Sequence, residues 1–136
     1  MGLVLDTSAL VCLERSLGTP NPLALPENEI IALPAIVWAE ALIGVRLAAD
    51  ARRAARRLAR LESIRRLTGI EEFTAVVAEH YADIFSELTQ QGRTIPQNDI
   101  AVAATARACN FGVLVGTADE KHFRRVNGLR TQVLQE

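Results

Sequence analysis

Four acidic residues stand where the sequence pattern offers a carboxylate no evident structural role: Asp6, Glu40, Asp99 and Asp119. Asp6 and Asp119 each follow a short aliphatic segment, Glu40 interrupts the apolar stretch 35–43, and Asp99 opens an Ala-rich segment. Two carboxylates about 4 Å apart repel by roughly 4 kcal/mol at an effective dielectric near 20. If the four gather, they must therefore bind a cation, pair with arginine or take up protons.

The cation that suits such an all-oxygen set is Mg²⁺, with Mn²⁺ as a possible substitute. Calcium is less well supported, because the sequence contains no Asp-x-Asp-x-Asp-Gly loop. Zinc is poorly supported, since His80 and His122 are far apart and neither Cys12 nor Cys109 pairs with them in spacing. Carboxylate-held Mg²⁺ with open positions is suited to phosphoryl chemistry, where it activates water and neutralises charge on a phosphate.

The elements that must position these residues alternate between short aliphatic strands and longer helical patterns. Strands are predicted at 3–5, 30–33, 67–70, 113–115 and 132–134. Helices are predicted at 8–17, at 34–47 with Pro34 in the first turn, at 50–64, 71–91 and 97–109, and as a short helix after a turn within 117–123. This alternation predicts an α/β fold, a three-layer α/β/α sandwich around a parallel sheet of about five strands.

Length and composition set the broad class. The chain has 136 residues, 49% hydrophobic and 23% charged, and a net charge of −1, which indicates one globular domain over 1–136. Near-neutral charge excludes a protein that coats nucleic acid through a basic surface. Without a basic leader or a long apolar run, the sequence predicts a cytoplasmic protein without a membrane partner. Cys12 and Cys109 are interpreted as small core residues rather than a disulfide.

Each acid can also be explained by a purely structural role. Asp6, Asp99 and Asp119 could each be helix N-caps, and Glu40 could lie on a solvated stripe of its helix. Together they are more informative, because the carboxyl ends of parallel strands share one edge, where ligands bind. Asp6 and Asp119 then meet at that edge, and Asp99 and Glu40 reach it from flanking helices.

Four segments carry a family resemblance: 4–10, 39–44, 95–106 and 114–123. In their order and spacing, over essentially the whole chain, they are similar to the PIN domain, and within it to the VapC-type toxins of toxin–antitoxin pairs. The resemblance implies a five-stranded parallel sheet and endonucleolytic cleavage of RNA with one or two Mg²⁺ or Mn²⁺ ions. It also implies a metal-activated water, and 5′-phosphate and 3′-hydroxyl products.

Carried over by position, the resemblance makes Asp6 and Asp99 the principal metal ligands. It makes Glu40 and Asp119 the other two catalytic acids, and Thr117 a supporting hydroxyl. Partners implied in the same way are a cognate antitoxin and a second copy of the chain. The antitoxin would place a basic side chain in the acidic pocket, and the homodimer would use apolar surface near 37–47 or 73–88.

Outside the acids, the segment Arg46–Arg66 holds eight arginines, with Arg52, Arg56 and Arg60 at four-residue steps. This stripe has three interpretations: it contacts several phosphates, it forms a solvated helix face, or it binds an acidic partner surface. The aromatic residues are predicted to be mostly in the core, so no exposed platform for base stacking is expected, and a structured RNA recognised by shape is favoured.

Two other classes compete with an RNA-cleaving toxin. A non-catalytic PIN-like RNA-binding or scaffold protein is one alternative, although such proteins usually lack some of the acids. A phosphatase of the haloacid dehalogenase type also begins with a strand followed by Asp. That chemistry requires a second Asp two residues later, where Ser8 stands.

Overall fold

The structure, a computed structural model, describes residues 1–134. Its strands are β1 (Gly2–Leu5), β2 (Ile30–Pro34), β3 (Ile70–Glu71), β4 (Gly112–Val115) and β5 (Thr131–Val133). They form one five-stranded sheet in the order β3-β2-β1-β4-β5, with every neighbouring pair parallel. Helices flank this sheet, so the predicted α/β fold is confirmed.

The helices follow the predicted order, with shifted ends. They are α1 (Thr7–Ser16), α2 (Ala35–Arg46), α3 (Ala51–Thr68), α4 (Ala75–Gln90), α5 (Gln97–Cys109) and α6 (Glu120–Phe123). No helix among the described residues is both long and apolar enough to cross a membrane.

Three boundaries differ from the predicted ones for reasons of capping. Helix α3 continues to Thr68, so the strand predicted at 67–70 is reduced to β3, after Gly69 at a φ of +70°. Helix α4 begins four residues later than predicted, because the Thr74 side chain accepts a hydrogen bond from the Val77 amide and caps it. Pro34 has extended backbone (ψ 142°) and precedes α2 as its N-cap, rather than lying in its first turn.

The core lies on both faces of the two central strands. Residues 3–5 of β1 and 113–115 of β4 have no exposed surface, as expected for strands covered on both sides. Small side chains of α5, including the fully buried Ala103 and Ala104, let this helix pack closely. Asp99, near the start of α5, is therefore held at a fixed position relative to the edge of β1 and β4.

Candidate active site

The neighbouring strands β1 and β4 place two of the acids at the same edge of the sheet. Asp6 directly follows β1, and its amide donates a hydrogen bond to the Leu114 carbonyl of β4 at 3.0 Å. Asp119 follows β4 by four residues and stands at the start of α6 without a capping hydrogen bond from its side chain. The parallel pairing of β1 with β4 thus brings two acids together that are over 100 residues apart in sequence.

The other two acids reach the same edge from helices. Glu40 of α2, Asp99 of α5 and Asp119 line a cleft of about 500 Å³. His122 lines it as well, with residues 96–98 completing the wall. The N-cap of α5 is Pro96, so the alternative reading of Asp99 as an N-cap is wrong; it lies in the first turn instead. The carboxylates therefore converge where the sheet topology predicted.

Asp6 is the buried member of the group, at 1% exposure. It caps α1 by accepting the Ala9 amide at 2.8 Å, and the Ser8 hydroxyl donates to it at 2.8 Å. The pKa of Asp6 is raised to about 7, chiefly by burial and also by the charges of Asp119 and Asp99, against the lowering effect of these hydrogen bonds. A nearby cation favours the ionised form of a carboxyl in this position.

Ser8 links the two central strands at this edge. Its hydroxyl oxygen accepts a hydrogen bond from the Gly116 amide at 2.8 Å while it donates to Asp6. A Cβ at Gly116 would come within 3.0 Å of that oxygen, so the close approach depends on the glycine. Ser8 therefore fixes the orientation of the Asp6 carboxylate relative to the end of β4.

Asp99 is held by a histidine. Nδ1 of His122 lies 2.8 Å from Oδ2 of Asp99 and 4.0 Å from Oδ1 of Asp119. Burial raises the pKa of Asp99 more than the hydrogen bond from His122 lowers it, and the charges of Asp119 and Glu40 also raise it. Glu40 in turn accepts a hydrogen bond from the Thr7 hydroxyl at 2.8 Å. The charges of the acids thus act on one another. Asp99 and Glu40 each have a hydrogen-bond partner that holds the carboxylate in place.

Sequence reasoning missed the hydroxyl and imidazole donors. Thr7 and Ser8 belong to the segment 4–10 that resembles the family, but the sequence does not assign them as donors to Glu40 and Asp6; their place beside Asp6, at the same strand edge, is the signal that could have done so. His122 was considered only as a zinc ligand, although it lies three residues, one helical turn, after Asp119. Thr117, the predicted supporting hydroxyl, is exposed and makes no hydrogen bond with other residues of the described chain, so its supporting role stays a prediction.

The donor set fits a hard divalent cation. All four acids supply carboxylate oxygens, the ligands that Mg²⁺ and Mn²⁺ prefer. Within residues 1–134, no three His, Cys, Asp or Glu side chains lie in position to share one ion. Mg²⁺ is usually held by one or two carboxylates and several waters. The arrangement therefore fits Mg²⁺ better than an ion that takes all of its ligands from the protein.

The expectation that no exposed aromatic cluster exists is wrong. Phe73 and Phe85 are 49% and 41% exposed. The rings of Phe73 and Tyr81 meet edge to face at 6.1 Å, and Tyr81 stacks on Phe85 at 6.3 Å. Phe73 lies before α4 rather than within the helix predicted at 71–91, and its side chain is not in the core. Val76, in the first turn of α4, is also exposed.

Fold and site together define a PIN-type α/β domain. The family model described as the PIN domain matches residues 3–129, and the chain belongs to this family. A curated relative, "Ribonuclease VapC" of Rickettsia bellii (strain RML369-C), is 32% identical over 126 residues, which cover 93% of this chain and 91% of the relative.

Two solved structures place the fold among VapBC proteins. The crystal structure of VapBC2 from Rickettsia felis, bound to a promoter DNA fragment, matches with a TM-score of 0.81 and 23% identity over 99% of this chain and 100% of that chain. A member of the VapBC family of toxin-antitoxin systems from Mycobacterium tuberculosis, VapBC-5, matches with a TM-score of 0.74 and 25% identity over 99% of this chain and 98% of that chain.

Proposed function

We propose that this protein is a Mg²⁺-dependent endoribonuclease, the toxin of a type II toxin–antitoxin pair, in which Mn²⁺ can substitute for Mg²⁺. The observation that carries the proposal is the convergence of Asp6, Glu40, Asp99 and Asp119 at one edge of the sheet. Membership of the PIN domain family and similarity to a relative named a ribonuclease support the same activity.

In this proposal the acids have distinct roles. Asp6 and Asp99 are the ligands that hold the cation, and Glu40 and Asp119 act beside them as the other two catalytic acids. When bound, the cation supplies activation of a water and neutralisation of charge at the scissile phosphate. Thr117 is proposed as a supporting hydroxyl.

The chain's own contribution is to hold these groups in place. Ser8 and the Ala9 amide orient the Asp6 carboxylate, His122 orients Asp99, and Thr7 orients Glu40. The acidic cleft repels RNA phosphates until a cation is present, so productive binding of an RNA phosphodiester depends on the loaded site.

The proposed partners are RNA, a cognate antitoxin and a second copy of the chain. The VapBC neighbours support the antitoxin. A basic antitoxin side chain would pair with the cleft carboxylates and compete with the cation for them. The exposed aromatic cluster supports a homodimer interface near α4. We further propose that residues 1–136 act as a single domain and that the protein acts in the cytoplasm.

The experiment compares wild type with Asp6→Asn and Asp99→Asn on total RNA, with Mg²⁺ or with EDTA. The expected result is cleavage by wild type in Mg²⁺ alone and a loss of at least about 100-fold in either variant, since each removes a charge that holds the cation. Asp83→Asn is the matched control, because this exposed carboxylate of α4 lies outside the cleft.

Circular dichroism melting of each variant confirms that it is folded. Equal cleavage by wild type and both site variants would contradict the proposed site. Binding of RNA without cleavage under any divalent cation would instead favour the alternative, a non-catalytic PIN-like RNA-binding or scaffold protein. Labelled ends distinguish endonucleolytic from terminal cleavage.

A further inference from the structure

The face formed by α1 and α3 carries a second cleft, of about 390 Å³, which shares no lining residue with the carboxylate cleft. Its lining side chains are all charged: Glu14, Arg15, Arg53, Arg56, Arg57 and Arg60. Five guanidinium groups thus face one carboxylate, so this arginine cleft has a strong net positive charge although the whole chain has a net charge of −1.

The carboxylate at the base of the arginine cleft organises it. Glu14 is 3% exposed, and its Oε1 lies 3.5 Å from Nη1 of Arg60 with no hydrogen-bond partner among the described residues. The Arg60 guanidinium lies against Gly18, where an added Cβ would be only 2.7 Å from Nη2. Arg60 is therefore fixed by packing and by charge, unlike an arginine that extends freely into solvent.

Three of the guanidinium groups have no partner. The side chains of Arg15, Arg53 and Arg56 make no hydrogen bond or ion pair with any residue of 1–134. Some arginines elsewhere are paired, as in the contact of Arg130 with Glu29 at 2.8 Å, and Arg52, Arg66 and Arg93, unpaired within the described part of the chain, line neither this cleft nor the carboxylate cleft. Unpaired arginines gathered around one cleft leave several forked donors available to an anion.

We propose that the arginine cleft binds phosphate groups of the RNA backbone, outside the carboxylate cleft. This inference rests on the proposed endoribonuclease function. Arg53, Arg56 and Arg60 lie about one helical turn apart, and a turn rises about 5.4 Å, a spacing that lets neighbouring guanidinium groups contact successive phosphates. Guanidinium binds phosphate oxygens in a bidentate manner.

The position of the arginine cleft suits a bound strand that also reaches the carboxylates. Helix α1 begins at the capping residue Asp6, and Glu14 lies eight residues further on, about 12 Å along the axis at 1.5 Å per residue. A strand of several nucleotides spans that distance, so one RNA molecule can occupy both clefts. The arginine cleft therefore contributes to affinity for longer RNA and not to the chemical step.

An acidic protein segment is the competing ligand. A separate apolar groove of about 280 Å³ lies on the same face, and it includes the exposed side chains of Leu17 and Leu67. An amphipathic acidic helix would use both surfaces at once. RNA is favoured because no residue lines both, and the arginine cleft itself contains no apolar side chain.

The test replaces two unpaired arginines of the cleft. It compares this variant with a second double variant that loses the same charge outside the cleft. Arg53→Gln/Arg56→Gln is the test variant, and Arg52→Gln/Arg66→Gln, on the same helix outside the cleft, is the control. Binding of a fluorescein-labelled 20-nucleotide RNA is measured by anisotropy in EDTA, so that no cleavage occurs, over a range of salt concentrations.

The expected result is a five- to tenfold rise in Kd for the 20-nucleotide RNA in the test variant, and less than twofold in the control. The slope of log Kd against log salt falls by about 1.4, since each phosphate contact on a single strand contributes about 0.7. With Mg²⁺, KM for the 20-nucleotide RNA rises in the test variant and kcat is unchanged.

Equal loss in the test and control pairs, or no loss in either, would overturn the inference. A 20-residue poly-glutamate peptide is the probe for the competing ligand. If its binding depends on Arg53 and Arg56 while RNA binding does not change, the arginine cleft binds an acidic protein instead. Absence of cleavage by wild type overturns the proposed function alone, because the binding assay in EDTA is independent of it.

Discussion

A single imidazole bridges two carboxylates of the candidate active site: Nδ1 of His122 lies 2.8 Å from Oδ2 of Asp99 and 4.0 Å from Oδ1 of Asp119. His122 belongs to the four-residue helix α6, and the next residue, Phe123, is fully buried and anchors that helix in the core. The position of the imidazole is therefore set by packing. Its N–H in turn restricts which oxygen of Asp99 remains free to face the cleft.

Removal of this donor is expected to weaken cation binding. His122→Ala should lower the affinity for Mn²⁺ by about tenfold, because hydrogen bonds that orient a ligand are typically worth 10–100-fold in metal affinity. His122→Asn is the matched variant, since its amide can donate from about the same position, and it should retain most of the affinity. Calorimetric titration with Mn²⁺ measures both. Equal affinity in wild type and His122→Ala would contradict the orienting role.

Loss of the Ser8 hydroxyl is expected to cost both stability and activity. Ser8→Ala leaves the Gly116 amide without its acceptor and removes the hydroxyl donor to Asp6, which then keeps only the Ala9 amide. A buried group left unpaired costs about 1–3 kcal/mol, so the urea midpoint should fall and RNA cleavage should drop with it. Ser63→Ala is the control, because this exposed hydroxyl bonds only to the Ala59 carbonyl within α3. A destabilisation no larger than that of the control would disprove the linking role of Ser8.

The periodicity of the sequence predicted the sheet and the place of the acids well. Short continuous apolar segments such as 113–115 favour strands buried on both faces, as the structure has them, and the shared edge of parallel strands then brings Asp6 and Asp119 together. What periodicity could not supply were interactions between distant residues. The contact of His122 with Asp99 depends on how α6 returns towards α5, and no local pattern encodes that return.

The ends of the helices were predicted less accurately than the sheet. Thr74 caps α4, but the apolar spacing continues upstream through Phe73, which made the helix appear to begin earlier. Apolar spacing alone does not show which side chains are buried, and Phe73 and Val76 are both exposed. Phe73 belongs to the exposed aromatic cluster that supports the homodimer proposal.

The exposed aromatic cluster provides a test of the proposed homodimer. Phe85→Glu should convert a dimer to a monomer, because it places a charge within the apolar patch formed by Phe73, Tyr81 and Phe85. Light scattering coupled to size-exclusion chromatography measures the mass. Leu67→Glu is the control, a similarly drastic change at an exposed leucine of α3. A wild-type monomer at about 100 µM, or a dimer that survives Phe85→Glu, would contradict this interface.

Because the Asp6 carboxyl is buried, we expect its ionisation to lower the stability of the fold as the pH rises, although cation binding uses the ionised form. Its pKa is raised from 3.8 to about 7 in the fold, so the folded state favours the protonated form. The contribution of Asp6 to stability is therefore greatest at low pH and declines as the pH rises from about 4 to 7, where the unfolded chain ionises freely. A shift of this size corresponds to about 4 kcal/mol as an order of magnitude, at 1.36 kcal/mol per pKa unit.

Asp6→Asn should remove this penalty, since the amide is neutral and remains a good N-cap for α1. In EDTA, the variant should be more stable than wild type at pH 8, by up to a few kcal/mol, and the difference should shrink towards pH 5. Added Mn²⁺ should stabilise wild type and not the variant, because ligand binding to the native state adds to stability. Urea unfolding at both pH values measures these differences, with Asp83→Asn as a control that should show no such pH dependence. A variant less stable than wild type at pH 8 in EDTA would show that the hydrogen bonds of the Asp6 carboxylate outweigh the cost of burying its charge.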